Sequence, residues 1–514
     1  MMHSTQSLRR ILWTSLLALG LLATACSSAP EPKPEPIDTK PAPPPEPVWP
    51  QDEFRASQPK PGPTPEVELP KVETFTIGKR GKQVTVHLIE RHQLPVVSMN
   101  MSFPIGSAND PRGKEGLASL SMALLNQGTE SLQKIEYEAR QADLAVSIGT
   151  SSSLEDVGVS MRTLKRNLGP ALDLLMEVLQ KPGMRGPDLE RLKKSREASL
   201  AQARATPAGA ARRVWPRALY GAKHPRGRIT TEAQLKAIRL ADSKKFVKGL
   251  SPAGAKLFVA GDITRKEIED LLAPRLGAWK ARKGRAAKVK AKPATSSALY
   301  LINIPGAAQS QIYVGQLGPA RTAEDYESIS MMSRILGGGF SSRINMNLRE
   351  KQGIAYGARA GFRYNNRNGY FVASSSVRTD ATGLAITELE KEIKTMREGE
   401  PTPEELGREK EGTLLSLPAR FATINGLLGT YKSLDYYGLP FDYYEGFQTR
   451  LDAVTAQDVQ KAASTHLKDE GWTMVIAGDA SVIMPQLQKA IEGGAFGLKE
   501  IITVDADGAK VDAP

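Results

Sequence analysis

The chain of 514 residues contains one cysteine and five histidines. A lone thiol excludes internal disulfides and any zinc site built on cysteines. His87, His92, His224 and His466 stand singly, which argues against a substitute metal site made from them. Past the N-terminal segment no run of about 18 apolar residues occurs, so nothing later is expected to span a bilayer. The net charge is +13, yet the cations are not focused. Their densest run, Lys280, Arg282, Lys283, Arg285, Lys288, Lys290 and Lys292, has only Trp279 as an aromatic neighbour and reads as a solvated linker. Nucleic acid is therefore not an expected partner; acidic peptides or an anionic surface suit such a charge better.

The N-terminus is built differently. Arg9-Arg10, the apolar run Ile11 to Leu22 and the small residues Ala23-Thr24-Ala25 before Cys26 follow the order of an export signal, here residues 1–25. Cys26 sits where a bacterial lipoprotein is acylated; the alternative is cleavage after Ala25, leaving a soluble exported chain. Residues 26–70 then form a spacer in which about a third of the residues after Cys26 are proline. Such a stretch cannot bury enough apolar surface to fold, and as polyproline II it reaches about 3.1 Å per residue, on the order of 100 Å in all. The expected setting is a bacterial cell envelope, lipid-anchored, facing the periplasm and at the outer membrane.

The remainder is written twice. Tyr220-Gly221 and Val259-Ala260-Gly261-Asp262 recur as Tyr437-Gly438 and Ile476-Ala477-Gly478-Asp479, displaced by 217 positions. Arg162-Thr163 recurs as Arg378-Thr379, and Pro187-Asp188-Leu189 as Pro403-Glu404-Glu405. A period this long means two similar globular domains rather than a solenoid. Each copy opens with extended segments (84–90 and 96–103; 299–304 and 311–317), then a helical pattern (116–126; 326–336), a further strand (157–161; 369–375) and, in the first copy, two long helices and a closing strand. That order predicts an α+β fold: two homologous α/β-sandwich domains, each a sheet with helices on one side, forming a clamshell. The domains are placed at 71–278 and 298–497, with a basic linker at 279–297 and a tail at 498–514.

Gly106-Ser107, Gly116 to Ala123 and Gly128-Thr129 frame a helix in a way that resembles the active-site segment of the pitrilysin (insulinase) family of zinc peptidases, the inverzincins. There H-x-x-E-H puts two histidines on one helix face to hold zinc, with the glutamate as base. In this chain those places are Ser119, Met122 and Ala123, none of them a suitable ligand or base. The family's third ligand, a later helical glutamate, is matched by Glu197, which reads best as a helix residue paired with Lys193 or Lys194. Lys223-His224-Pro225-Arg226-Gly227-Arg228 also looks like a family segment. The second copy keeps what the first has lost. Gly337-Gly338-Gly339-Phe340 leads to Arg349 and Tyr356, seven residues apart, which resembles the family pair that binds substrate and steadies the oxyanion. No phosphate-loop lysine follows the glycines.

The resemblance implies a peptidase subunit without metal of its own, inactive alone, that brings Arg349, Tyr356 and residues 337–340 to a zinc-bearing partner chain. Unfolded peptide would be gripped by strand addition at a sheet edge. No cofactor is expected in this chain. The rival reading is a non-enzymatic scaffold or peptide-binding lipoprotein of the same fold.

Overall fold

The computed structural model describes residues 62, 68–79, 81–279, 286, 289 and 297–512. The expected signal, Cys26, most of the spacer and most of the basic linker lie outside the described residues. No helix among the described residues is long and apolar enough to cross a membrane.

Two six-stranded sheets organise the chain. The first contains β1 (Glu73–Ile77), β2 (Val84–Glu90), β3 (Val96–Phe103), β4 (Ser147–Ser152), β5 (Val157–Leu164) and β6 (Lys256–Gly261), in the order β1-β2-β6-β3-β5-β4. The second contains β7 (Ala298–Asn303), β8 (Gln309–Gly318), β9 (Ala355–Tyr364), β10 (Gly369–Arg378), β11 (Thr473–Gly478) and β12 (Ile501–Val504), in the order β12-β7-β11-β8-β10-β9. Without the outer strands β1 and β12 the two orders are the same. The first and last strands of each copy, β2 with β6 and β7 with β11, pair in parallel, and the inner pairs are antiparallel. The α+β architecture of two related sandwiches is thus the one observed.

Each sheet buries one face against helices of its own half, such as Leu117–Leu125 and Leu168–Gln180 in the first and Tyr326–Gly337 and Thr382–Glu398 in the second. The opposite faces are covered by exchange. The Pro207–Tyr220 helix lays Ala211, Val214, Trp215 and Leu219 on Ile302, Val475 and Ala477 of the second sheet. In return the Ile424–Tyr437 helix brings Leu427, Tyr431 and Leu434 into one cluster with Ile89, Phe258 and Ala260 of the first. Strand alternation makes this two-sided burial possible: Val475 and Ala477 meet the visiting helix while Met474 and Ile476 meet the resident ones. Both visiting helices begin at a capping threonine, Thr206 or Thr423, and end at Gly221 or Gly438 with φ of +82° and +69°. The repeated Tyr-Gly pairs are therefore helix ends. Polar contacts add to the seam, with Lys256 Nζ 2.7 Å from both Asp435 oxygens and the Tyr436 hydroxyl donating to Glu155 at 2.8 Å.

Two expected boundaries change. Residues 498–514, read as a tail, supply β12, because the β-branched run Ile501-Ile502-Thr503-Val504 suits a strand beside β7. Asp507, in the turn that follows, pairs with Arg204 at 2.6 Å and with Arg213. Trp279, read as part of a solvated linker, is buried with its ring 5.9 Å from Phe103. An indole has too much apolar area to be left in water when a core lies within reach.

Candidate functional site

In the first half the expected motif frame is present. Gly116 and Gly128 bracket the Leu117–Leu125 helix at φ of +100° and +113°, and a Cβ on Gly128 would lie 2.4 Å from the Leu132 carbonyl oxygen. These glycines are demanded by the backbone whatever the helix carries. Within the frame Ser119 and Ala123 are half-buried, while Met122 is 1% exposed and belongs to the apolar core. Glu197, half-buried on the Gly186–Arg204 helix, has no ion pair among the described residues. Lys193, offered as its partner, binds Glu190 at 3.0 Å instead. Helical side chains lean toward the N-terminus, which carries the ammonium back to Glu190.

A hydroxyl, a core thioether, a methyl group and one carboxylate do not fit zinc, which takes three or four protein ligands. The histidines do not replace them. His92 bonds Asp262 and Glu90, His466 bonds Asp325, His87 is buried against Phe258 and Phe441, and His224 stacks on Tyr220. Among the described residues no three His, Cys, Asp or Glu side chains are grouped to share a metal ion.

Ser119 opens onto a cavity of about 420 Å³ lined also by Ser152 at the end of edge strand β4, by Arg196, Arg213 and Arg228, and by Asp110 and Glu115. The His224 segment contributes Pro225 and Arg228 to it. Asp110 caps the Leu117–Leu125 helix, accepting from the amides of Gly116 and Ala118 at 2.9 Å. Burial pushes its pKa up to about 6 despite those two bonds.

The second half assembles its predicted residues at one place. Gly337 ends the Tyr326–Gly337 helix so close to β9 that an added Cβ would lie 2.1 Å from the Ala360 nitrogen, and Gly338 and Gly339 turn the chain to Phe340. The turn is clamped: Ser342 Oγ donates to the Gly339 carbonyl at 2.7 Å and Asn345 Nδ2 to the Phe340 carbonyl at 2.6 Å. Asn345 Oδ1 also accepts from Ala358 N of β9. Arg343 is fixed by two bonds to Glu405, at 2.7 and 2.6 Å. Residues Met346–Lys351 then wind as a π-helix, which carries Arg349 on a widened turn. Such turns cost hydrogen-bond quality and recur at functional sites.

Arg349 lies between two rings, its guanidinium carbon 4.8 Å from the centroid of Phe340 and 4.9 Å from that of Tyr356. It also donates to the Tyr356 carbonyl at 3.1 Å and holds Glu350 at 3.0 Å. Tyr356, near the start of edge strand β9, is 84% exposed, and Phe340 is 56% exposed. Neither ring is core packing, and both donors stand at the surface. A phenol and a guanidinium held this way can hydrogen-bond an anionic oxygen presented from outside. Neither Arg349 nor Tyr356 lines the Ser119 cavity. The clamps Ser342, Arg343, Asn345 and the π-turn were not foreseen from sequence, where short polar side chains beside a glycine run carry no address.

Two related sandwiches, one whose motif positions carry no zinc ligand set and one with an exposed donor pair, define a peptidase-like protein. Residues 85–228 match the family described as Insulinase (Peptidase family M16), and residues 237–413 match the Peptidase M16 inactive domain. Together these span more than half of the chain, which belongs to peptidase family M16. The non-peptidase homolog YmxG of Helicobacter pylori is 24% identical over 411 residues, covering 77% of this chain and 92% of that protein. The zinc protease PqqE of the same organism is 23% identical over 423 residues, covering 79% and 93%. Among solved structures, the M16 inactive domain from Pseudomonas fluorescens superposes with a TM-score of 0.73 at 25% identity, covering 80% of this chain and 98% of that one.

Proposed function

We propose that this chain is the zinc-free member of a two-chain M16 peptidase in the bacterial cell envelope, anchored through a lipid on Cys26 and facing the periplasm. It presents Arg349, Tyr356 and the 337–340 turn to peptide bound by a zinc-bearing partner chain of the same family. The observation that carries this reading is the Phe340–Arg349–Tyr356 stack, clamped from below yet open to solvent. A stack maintained only for stability would gain by being covered. Similarity to a chain named a zinc protease supports a partner from the same family. Peptide would add as a strand to an open edge, β4 or β9.

The zinc-bearing partner would supply the activated water, while Arg349 and Tyr356 of this chain orient the peptide carbonyl and donate hydrogen bonds to the oxygen that becomes charged. In the reconstituted pair, Tyr356→Phe and Arg349→Ala are each expected to lower peptide hydrolysis by about 10²–10³-fold with assembly intact. Unchanged hydrolysis by both variants would leave the scaffold reading, which the emptied motif and the similarity to a non-peptidase homolog favour.

A further inference from the structure

We propose that the second half holds a binding site for a small organic carboxylate, of the size of an amino acid or dipeptide. The site is the cavity framed by Arg321, Arg420 and the rings of Tyr326, Tyr364, Tyr437 and Tyr444. This inference is independent of the role given to Arg349 and Tyr356, neither of which lines the cavity.

Arg321 lies in the turn between β8 and the Tyr326–Gly337 helix and is 9% exposed. Its guanidinium carbon sits 3.3 Å from the centroid of Tyr326 and 4.9 Å from that of Tyr443. It touches the Tyr443 hydroxyl, but no carboxylate reaches it among the described residues. Of the acids that follow in sequence, Glu324 is exposed and pairs with no cation among the described residues, Asp325 is held by His466 at 2.8 Å, and Glu327 by Arg450 at 3.2 Å and Tyr443 at 3.0 Å. A buried cation without a counter-charge is costly, and stacking on tyrosine offsets only part of that cost. Arg420, exposed and also without an ion pair among the described residues, faces the same space.

The cavity measures about 420 Å³, within the range that holds a small organic ligand. Two guanidinium forks suit a carboxylate, and the tyrosine walls suit an apolar or aromatic remainder. The cavity of the first half provides the control. There Arg213 is answered by Asp507, and Asp110 and Glu115 stand in the lining. Of these two cavities, the one in the second half is lined by two arginines and no acid.

The test is calorimetric titration of the whole chain with N-acetyltyrosine, N-acetyltyrosine amide and inorganic phosphate. The carboxylate is expected to bind about tenfold or more tightly than the amide. Arg420→Gln is expected to weaken it about tenfold. Gly429→Leu is expected to abolish binding with thermal stability retained, because Gly429 lines the cavity and an added Cβ meets nothing within 4 Å. The proposal is overturned by equal affinity for the amide, by phosphate binding as tightly as the carboxylate, or by no binding of any probe at about 10 mM. Binding unchanged by Gly429→Leu would overturn it as well.

Discussion

The two halves share a strand order and differ in where they keep polar groups. In the first half Met122 belongs to the core, Ser119 faces a cavity lined by charges of both signs, and the glycine frame is one the backbone needs. The second half does the reverse, holding Phe340, Arg349 and Tyr356 at the surface on a clamped turn and a π-helix. When one copy of a duplicated fold is no longer required to hold a metal, its helix is free to drift toward better packing. On the proposed function, a copy that must meet another molecule keeps exposed groups at a cost in its own stability. Neither half stands alone, since each closes the other's sheet with one helix.

The exchange can be broken directly. Trp215→Ala, in the helix that crosses to the second sheet, is expected to cost about 3–5 kcal/mol, read as a lower denaturant midpoint. A cost under about 1 kcal/mol would mean the two halves do not depend on the crossing. Met122→Glu tests whether the motif has been absorbed by the core. Burying that carboxylate is expected to destabilise by about 3 kcal/mol at pH 7, and a neutral outcome would mean the position still opens to water. The smallest effect is a pH dependence confined to the first half. Burial raises the Asp110 carboxyl in the folded chain to about 6, above the 3.8 of a free aspartate. A raised carboxyl pKa means the folded state binds the proton more tightly, so this group adds stability as pH falls from about 6 toward 4. Asp110→Asn is expected to remove that gain, on the order of 2 kcal/mol, when unfolding is compared at pH 7 and pH 4.

Much of this comparison was legible before the structure. The repeated Tyr220-Gly221 and Tyr437-Gly438 pairs marked two copies, and the β-rich composition of 84–90, 96–103 and 369–375 marked strands that are present. What sequence could not carry was address. Ala211, Val214, Trp215 and Leu219 announce an apolar helix face, but not that it lies on the other half's sheet. Strand β4, Ser147–Ser152, is polar along most of its length because it is an edge, so it lacks the alternation that reveals inner strands. The π-turn under Arg349 has no periodicity of its own, and Arg321 is one cation among 69 basic residues until three-dimensional packing surrounds it with tyrosines. Arg349 and Tyr356 were found because their spacing follows a family motif; the side chains that clamp them follow none.

The most direct test of the division between the halves is metal content and peptide hydrolysis measured on the same purified chain, alone and mixed with a zinc-bearing M16 chain. The account predicts no bound zinc and no cleavage by the chain alone, with cleavage restored in the mixture and dependent on Tyr356. One tightly held zinc per chain together with cleavage in the absence of any partner would contradict it.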